Sequence, residues 1–302
     1  MSGTDPSYAR ALMRCNQKSF TVWAVSDIVG RFAPSPTGDL HLGNLRTAIA
    51  AREETGVHSR FVIRMEDLDR MTSRRDFALR QLADLKAVGV VSDVPIVYQS
   101  DRFDLYREQL KRLDRRGLTY QCFCTRREIQ QVVSAPHGAV PGYPGTCRQL
   151  NENERQRLAR IRPAAIRLKV PRDDGAHADI DDIVLVRSDG VPAYNLAVVV
   201  DDELQGVTQV VRGDDLMHAT PSQNHLQALL GFRTPEYVHI PLLCGPDGNR
   251  LSKRHGDVTL GDCLRLGFAP SDVRRALLRS LELGTNGWEQ SSSLAQWLKS
   301  LL

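Results

Sequence analysis

The sequence predicts an α/β fold built on a parallel sheet and interrupted by an inserted subdomain. Strand-like and helix-like segments alternate across residues 28–117, the order expected of a parallel sheet. Residues 118–175 break that order with three of the chain's six cysteines, a Pro/Gly-rich loop and short strands. Long apolar runs then return between residues 181 and 216, consistent with buried strands and a helix of the sheet domain.

The elements follow in order. "DIVGRFA" reads as a buried strand ended by Pro34, and "HLGNLRTAIAAREETG" as a helix closed by Gly56. "SRFVIRMEDLD" is a second strand that turns acidic at its end. "RRDFALRQLADLKAVG" is an amphipathic helix, and "SDRFDLYREQLKRLDRRG" another, with Ser100 or Asp101 as N-cap and Gly117 as stop. "AAIRLKVP" is a short strand of the insert. "ATPSQNHLQALLG" is a helix, "EYVHIPLLCGPDGNRLSKRHG" a strand followed by a loop, and "FAPSDVRRALLRSLELG" and "SLAQWLKSLL" form a helical tail. The expected organisation is an N-terminal extension over 1–27, a sheet domain over 28–117 and 176–257, an insert over 118–175 and a helical C-terminal segment over 258–302.

Composition narrows the class. The 302 residues are 41% hydrophobic and 25% charged, with a net charge of +4. This is a globular composition, and its mild basicity permits a nucleic-acid partner without demanding one. No stretch approaches the roughly 18 apolar residues of a membrane span, and the N-terminus has no secretory pattern. The expectation is a cytoplasmic protein without a membrane partner. Six cysteines in a chain of this length do not suggest a disulfide framework; their clustering points to metal.

The stretch "RFAPSPTGDLHLGN" enters its helix through two prolines and a Thr-Gly, placing His41 and Gly43 at the helix start. A helix N-terminus offers unpaired backbone N–H groups and partial positive charge, so it attracts phosphate. Gly38 and Gly43 would let a nucleotide approach the backbone, and His41 could donate a ring N–H to it. A rigid turn with an exposed histidine fits equally. The second element, "NRLSKRHG", carries Arg250, Lys253 and Arg254, cations suited to charge developing at a phosphorus centre or simply a solvated basic loop.

Together these stretches resemble the HIGH and KMSKS signatures of class I aminoacyl-tRNA synthetases, with "RFAPSPTG" in the form of the glutamyl/glutaminyl branch. "HLGN" departs at Leu42 and Asn44, and "RLSKR" at Arg250, Leu251 and Arg254, while His41, Gly43 and Lys253 are kept. The resemblance covers residues 28–285 and implies a Rossmann-like catalytic domain. It assigns catalysis to His41, Gly43 and Lys253, and ATP binding to these with Asn44. ATP is expected as its Mg²⁺ complex.

A glutamate site needs an anion for the ammonium group and an arginine for the side-chain carboxylate. The resemblance carries that pocket to Arg31, Ser35, Glu66, Tyr194 and Arg212. Cys122, Cys124 and Cys147 suit tetrahedral zinc. Three free thiols are the alternative, and His137 competes with Tyr143 as fourth ligand. The resemblance favours Tyr143, giving one structural Zn²⁺ per chain.

About fifty residues follow Lys253, too few for a helical anticodon-binding domain. The chain therefore resembles the glutamyl-queuosine tRNA(Asp) synthetases, truncated paralogues of that branch. This implies tRNA-independent activation of L-glutamate by ATP and transfer to the queuosine base in the tRNA(Asp) anticodon loop, by a monomer. Arg126, Arg127, Arg254, Arg274 and Arg275 are candidates for RNA phosphates. The alternatives are a short glutamyl-tRNA synthetase charging the terminal ribose of tRNA(Glu), a nucleotidylyltransferase of the same fold, and a non-catalytic RNA-binding paralogue.

Overall fold

A computed structural model describes residues 28–133, 143–171, 180–245, 251, 258–284 and 293–302. The extension 1–27, His137, Arg250, Lys253 and Arg254 lie outside the described residues. The chain forms two units. The first comprises the described residues of Met1–Tyr98, Gly206–Met217 and Pro235–Leu302, and the second those of Gln99–Gln205 and His218–Thr234.

The first unit is built on a five-stranded sheet. Its strands are β1 (Val29–Phe32), β2 (Arg60–Met65), β3 (Val97–Tyr98), β7 (Gln209–Gly213) and β8 (Glu236–Ile240). Their order is β3-β2-β1-β7-β8, and every pairing is parallel. Alternation along each strand sorts the two faces. Phe61, Ile63 and Met65 of β2, with Phe32 and Val211, join the main core. There they meet α1 (Leu42–Thr55), α2 (Arg75–Ala87) and the tail helices α8 (Leu260–Arg265), α9 (Pro270–Glu282) and α10 (Leu294–Ser300). Val29, Val62 and Val210 form a smaller cluster on the opposite face.

Gly30 faces α1. A Cβ there would lie 1.7 Å from Thr55 Oγ1, so only glycine lets β1 lie this close to the helix. Helix α1 ends at Gly56, with φ of 80°, as expected from its sequence.

The second unit carries an antiparallel sheet of β4 (Thr119–Cys122), β5 (Ala165–Leu168) and β6 (Val184–Val186). Around it are α3 (Phe103–Arg115), α4 (Arg126–Val133), α5 (Glu152–Ala159), α6 (Tyr194–Leu204) and α7 (Thr220–Leu230). Helix α3 starts later than its sequence suggests. Gln99–Asp101 form a 3-10 turn, and Arg102, not Ser100 or Asp101, occupies the cap position without a side-chain cap bond. The reason is a tertiary competitor. Fully buried Asp201 of α6 accepts from Gln99 Nε2 at 3.0 Å, Arg102 Nε at 2.7 Å and Tyr106 Oη at 2.7 Å. A buried carboxylate needs such partners, and satisfying it sets the entry to α3.

Among the described residues, no helix is long and apolar enough to cross a membrane.

Candidate active site

His41 is the N-cap of α1. Its Nδ1 accepts from the Asn44 backbone N–H at 3.3 Å, while Asn44 Oδ1 accepts from the His41 N–H at 3.3 Å. This reciprocal capping satisfies two donors at the helix start. Because Nδ1 is the acceptor, the neutral ring carries its proton on Nε2. Gly43 makes room for the ring, since a Cβ there would stand 2.9 Å from His41 Cε1. Gly38, by contrast, is open on the side a Cβ would take.

The proline turn is held from several sides. Glu66 N–H donates to Pro34 O and Arg74 N–H to Pro36 O, both at 2.9 Å. Buried Gln81 of α2 donates through Nε2 to Ser35 O at 3.1 Å and Gly38 O at 2.7 Å. Sequence reasoning missed Gln81. Its signal is a polar residue on the apolar stripe of an amphipathic helix. The chain beyond the basic loop returns to the same place: Leu42 N–H donates to Val258 O at 2.9 Å, and His41 bridges Thr259.

Arg31, Glu66 and Arg212 gather on one face of the sheet. Arg31 is level with Val62 and Val210, and Val210 with Tyr237. Arg212 is level with His239. Paired residues share a face and the side-chain period is two, so Arg31, Arg64, Arg212, Tyr237 and His239 all lie opposite α1. Arg31, Arg64, Arg212 and His239 stand toward the carboxyl ends of β1, β2, β7 and β8, and Tyr237 nearer the amino end of β8. Glu66 follows in the same phase as Arg64. Open parallel sheets bind ligands at these ends. Arg31, Arg64 and Arg212 are all buried. Arg64 Nη2 lies 3.4 Å from Glu66 Oε1, an ion pair. Arg64 was not foreseen, although a charge inside the apolar run "RFVIRM" was its signal.

Ser35 is exposed in the turn of this unit, and Tyr194 opens α6 in the second unit. Arg126 and Arg127 are exposed on α4. Arg274 is engaged in the fold instead: it donates to Val88 O at 2.7 Å and pairs with Glu53. Arg275 pairs with Asp272 at 2.8 Å.

The cysteines converge within the second unit. The Sγ atoms of Cys122, Cys124 and Cys147 lie within 4.8 Å of one another. Tyr143 Oη accepts from Cys122 Sγ at 3.2 Å and from the Cys147 N–H at 2.9 Å, and lies 3.5 Å from Cys124 Sγ. Zinc–sulfur bonds of about 2.3 Å in a tetrahedron put sulfurs nearly 4 Å apart, so this donor set fits a zinc ion. Burial raises the Cys122 thiol, but its hydrogen bonds with Tyr143 and Arg167 outweigh it and hold Cys122 below the ordinary range. Burial first, and then the neighbouring Cys147 and Cys122, push Cys124 up to about 12. The Arg167 guanidinium lies 3.8 Å from the Tyr143 ring centroid, a compensating charge beside the donors. Asp182 braces the cluster from below. It accepts from Arg148 Nη1 at 2.8 Å and Tyr120 Oη at 2.7 Å, while Asp181 accepts from the Tyr143 N–H at 3.0 Å.

Residues 27–290 match the family described as tRNA synthetases class I (E and Q), catalytic domain. A glutamyl-Q tRNA(Asp) synthetase of Nocardia farcinica is 53% identical over 84% of this chain and 85% of its own length. A glutamate–tRNA ligase of Pelobacter propionicus is 38% identical over 84% of this chain, but only 57% of that protein is spanned. The crystal structure of a glutamate tRNA ligase from Elizabethkingia meningosepticum, in complex with its amino acid, aligns with a TM-score of 0.66 at 25% identity. That alignment covers 91% of this chain and 64% of that one. The chain therefore belongs to the E and Q branch of class I tRNA synthetases and is a ligase of the aminoacyl-tRNA synthetase type.

Proposed function

We propose that the protein activates L-glutamate with ATP, without needing tRNA, and transfers it to the queuosine base at the wobble position of tRNA(Asp). The observation that carries the amino-acid assignment is the shared face of Arg31, Glu66 and Arg212 at the carboxyl ends of neighbouring strands. Glutamate brings two carboxylates and one ammonium group. Glu66 suits the ammonium, Arg212 the side-chain carboxylate, and Arg31 a neighbouring anionic group. Ser35 joins these residues in this proposal, and Tyr194 is assigned to glutamate by the resemblance alone. The acceptor assignment rests on the 53% identity to a protein named for that reaction, against 38% for a glutamate–tRNA ligase.

In the first step an α-carboxylate oxygen of glutamate bonds to the α-phosphorus of ATP, and the bond to pyrophosphate breaks. ATP enters as its Mg²⁺ complex. The α1 N-terminus and the Nε2–H of His41 serve as donors to phosphate oxygens, and Gly43 keeps the ring in place. Lys253 neutralises the charge that develops on the leaving group. In the second step a ring hydroxyl of queuosine attacks the glutamyl carbonyl, its proton is lost, and AMP leaves. Positioning accounts for most of the catalysis. Cys122, Cys124, Tyr143 and Cys147 would hold Zn²⁺, which supplies a structural cross-link to a region with a small core of its own.

The test is labelled glutamate incorporation into tRNA(Asp) with and without queuosine, beside ATP–pyrophosphate exchange without tRNA. Exchange without tRNA and queuosine-dependent incorporation are expected. Charging of tRNA(Glu) at its 3′ end would replace this assignment with the glutamyl-tRNA synthetase alternative.

A further inference from the structure

The arginine assigned to the substrate carboxylate is itself held by two residues of the next strand. Arg212 Nε donates to His239 Nε2 at 3.2 Å. The same guanidinium lies 4.6 Å from the Tyr237 ring centroid. The Tyr237 and His239 rings are themselves nearly parallel, at 8°, with centroids 6.3 Å apart. The register explains the arrangement: Arg212 pairs with His239, and Tyr237 lies one same-face step behind it. An arginine side chain is long and rotamer-rich. A π-face beneath the guanidinium and an acceptor at Nε limit its positions to a narrow set.

We infer that His239, with Tyr237, is a positioning residue that aims the Arg212 guanidinium and thereby sets affinity for an acidic amino-acid side chain. His239 acts only as a neutral acceptor, with its proton on Nδ1. Once protonated it has no lone pair for Arg212 Nε, and it places a second cation against the first. Burial, then Arg212, lower its basicity, while Asp214 works in the opposite direction. Among the described residues of this unit, charged and titratable groups near it include Arg212 on β7, Asp214 after β7 and Tyr237 on β8, with Arg31 of β1 one row behind. The inference rests on the assignment of Arg212 to the substrate carboxylate.

The experiment measures glutamate KM and kcat by ATP–pyrophosphate exchange in the full chain, for His239→Leu, His239→Gln and Arg212→Ala. Thermal melts check folding. Losing one hydrogen bond to a charged group predicts a KM increase of roughly tenfold for His239→Leu, with a much smaller change in kcat. Glutamine offers a neutral acceptor near the Nε2 position, so His239→Gln recovers part of that loss. In the wild type, KM rises as pH falls below the ordinary imidazole value of 6.5, and this rise is absent in His239→Gln. Unchanged KM in a folded His239→Leu, or the same pH profile in His239→Gln as in the wild type, overturns the inference. If His239→Leu does not fold, the His239→Gln pH profile decides. Should Arg212→Ala leave KM unaltered, the carboxylate assignment itself fails. Should Arg212→Ala raise KM while His239→Leu does not, only the positioning role is lost.

Discussion

His41 and Asn44 cap each other: each side chain accepts the other residue's backbone N–H, at 3.3 Å in both directions. The imidazole is thus part of the helix start, with its orientation and tautomer set by the backbone it caps. It packs where Gly43 has no side chain.

This arrangement separates stability from catalysis at Gly43. Alanine is a better helix former than glycine by about 1 kcal/mol, yet its Cβ would meet His41 Cε1 at 2.9 Å. Gly43→Ala is expected to keep or raise Tm while lowering ATP–pyrophosphate exchange by tenfold or more. A variant with unimpaired exchange would show that the ring position does not matter to activation.

Lys253→Ala is expected to lower the exchange rate by roughly a hundredfold, the order of about 3 kcal/mol for one preorganised contact to developing charge. ATP affinity should change far less. Near-normal exchange excludes Lys253 from the chemistry.

Elemental analysis should find one zinc per chain, lost in Cys124→Ser. A chelator should lower Tm, because a buried donor set of thiols and a phenol is left without its cation. Zinc-free protein of full stability and activity would eliminate the metal site. Zinc retained in Tyr143→Phe but lost in His137→Ala would move the fourth ligand to His137.

Gly30→Ala should be among the most damaging substitutions in the sheet. Its Cβ would fall 1.7 Å from Thr55 Oγ1 and 2.9 Å from Thr55 Cβ, and overpacking of this kind costs about 1–3 kcal/mol or more. Adding Thr55→Gly should recover part of the Tm. A neutral Gly30→Ala would mean that β1 and α1 can separate without loss.

An anticodon stem-loop carrying queuosine is expected to accept glutamate, while one with guanosine does not. Its binding should weaken with salt as counterion release diminishes. Arg126→Ala and Arg127→Ala should each reduce the salt slope by about one. Arg274→Ala should leave the slope alone and lower Tm, since this arginine is tied to Val88 and Glu53. A reduced slope in Arg274→Ala would return it to the RNA surface.

The sequence by itself determined what local physics controls. Alternating apolar segments specified a parallel sheet, Gly56 the end of α1, and the proline turn the place where His41 meets a helix start. Cysteine spacing marked three donors. Only the tertiary structure decided which residues share a surface. Arg31, Glu66 and Arg212 are far apart in the chain, and their common face follows from strand register, a property of pairings between distant segments. Arg64 is marked locally only as a charge in an apolar run, and nothing local names its partner or that of His239. The partners appear only when β2 reaches Glu66 and β8 aligns with β7. The start of α3 shifted for the same reason. Local capping preference is worth about 1 kcal/mol. A buried Asp201 left without Gln99, Arg102 and Tyr106 would cost about 3–5 kcal/mol. The nonlocal interaction is the stronger of the two, so the helix begins where Asp201 is satisfied.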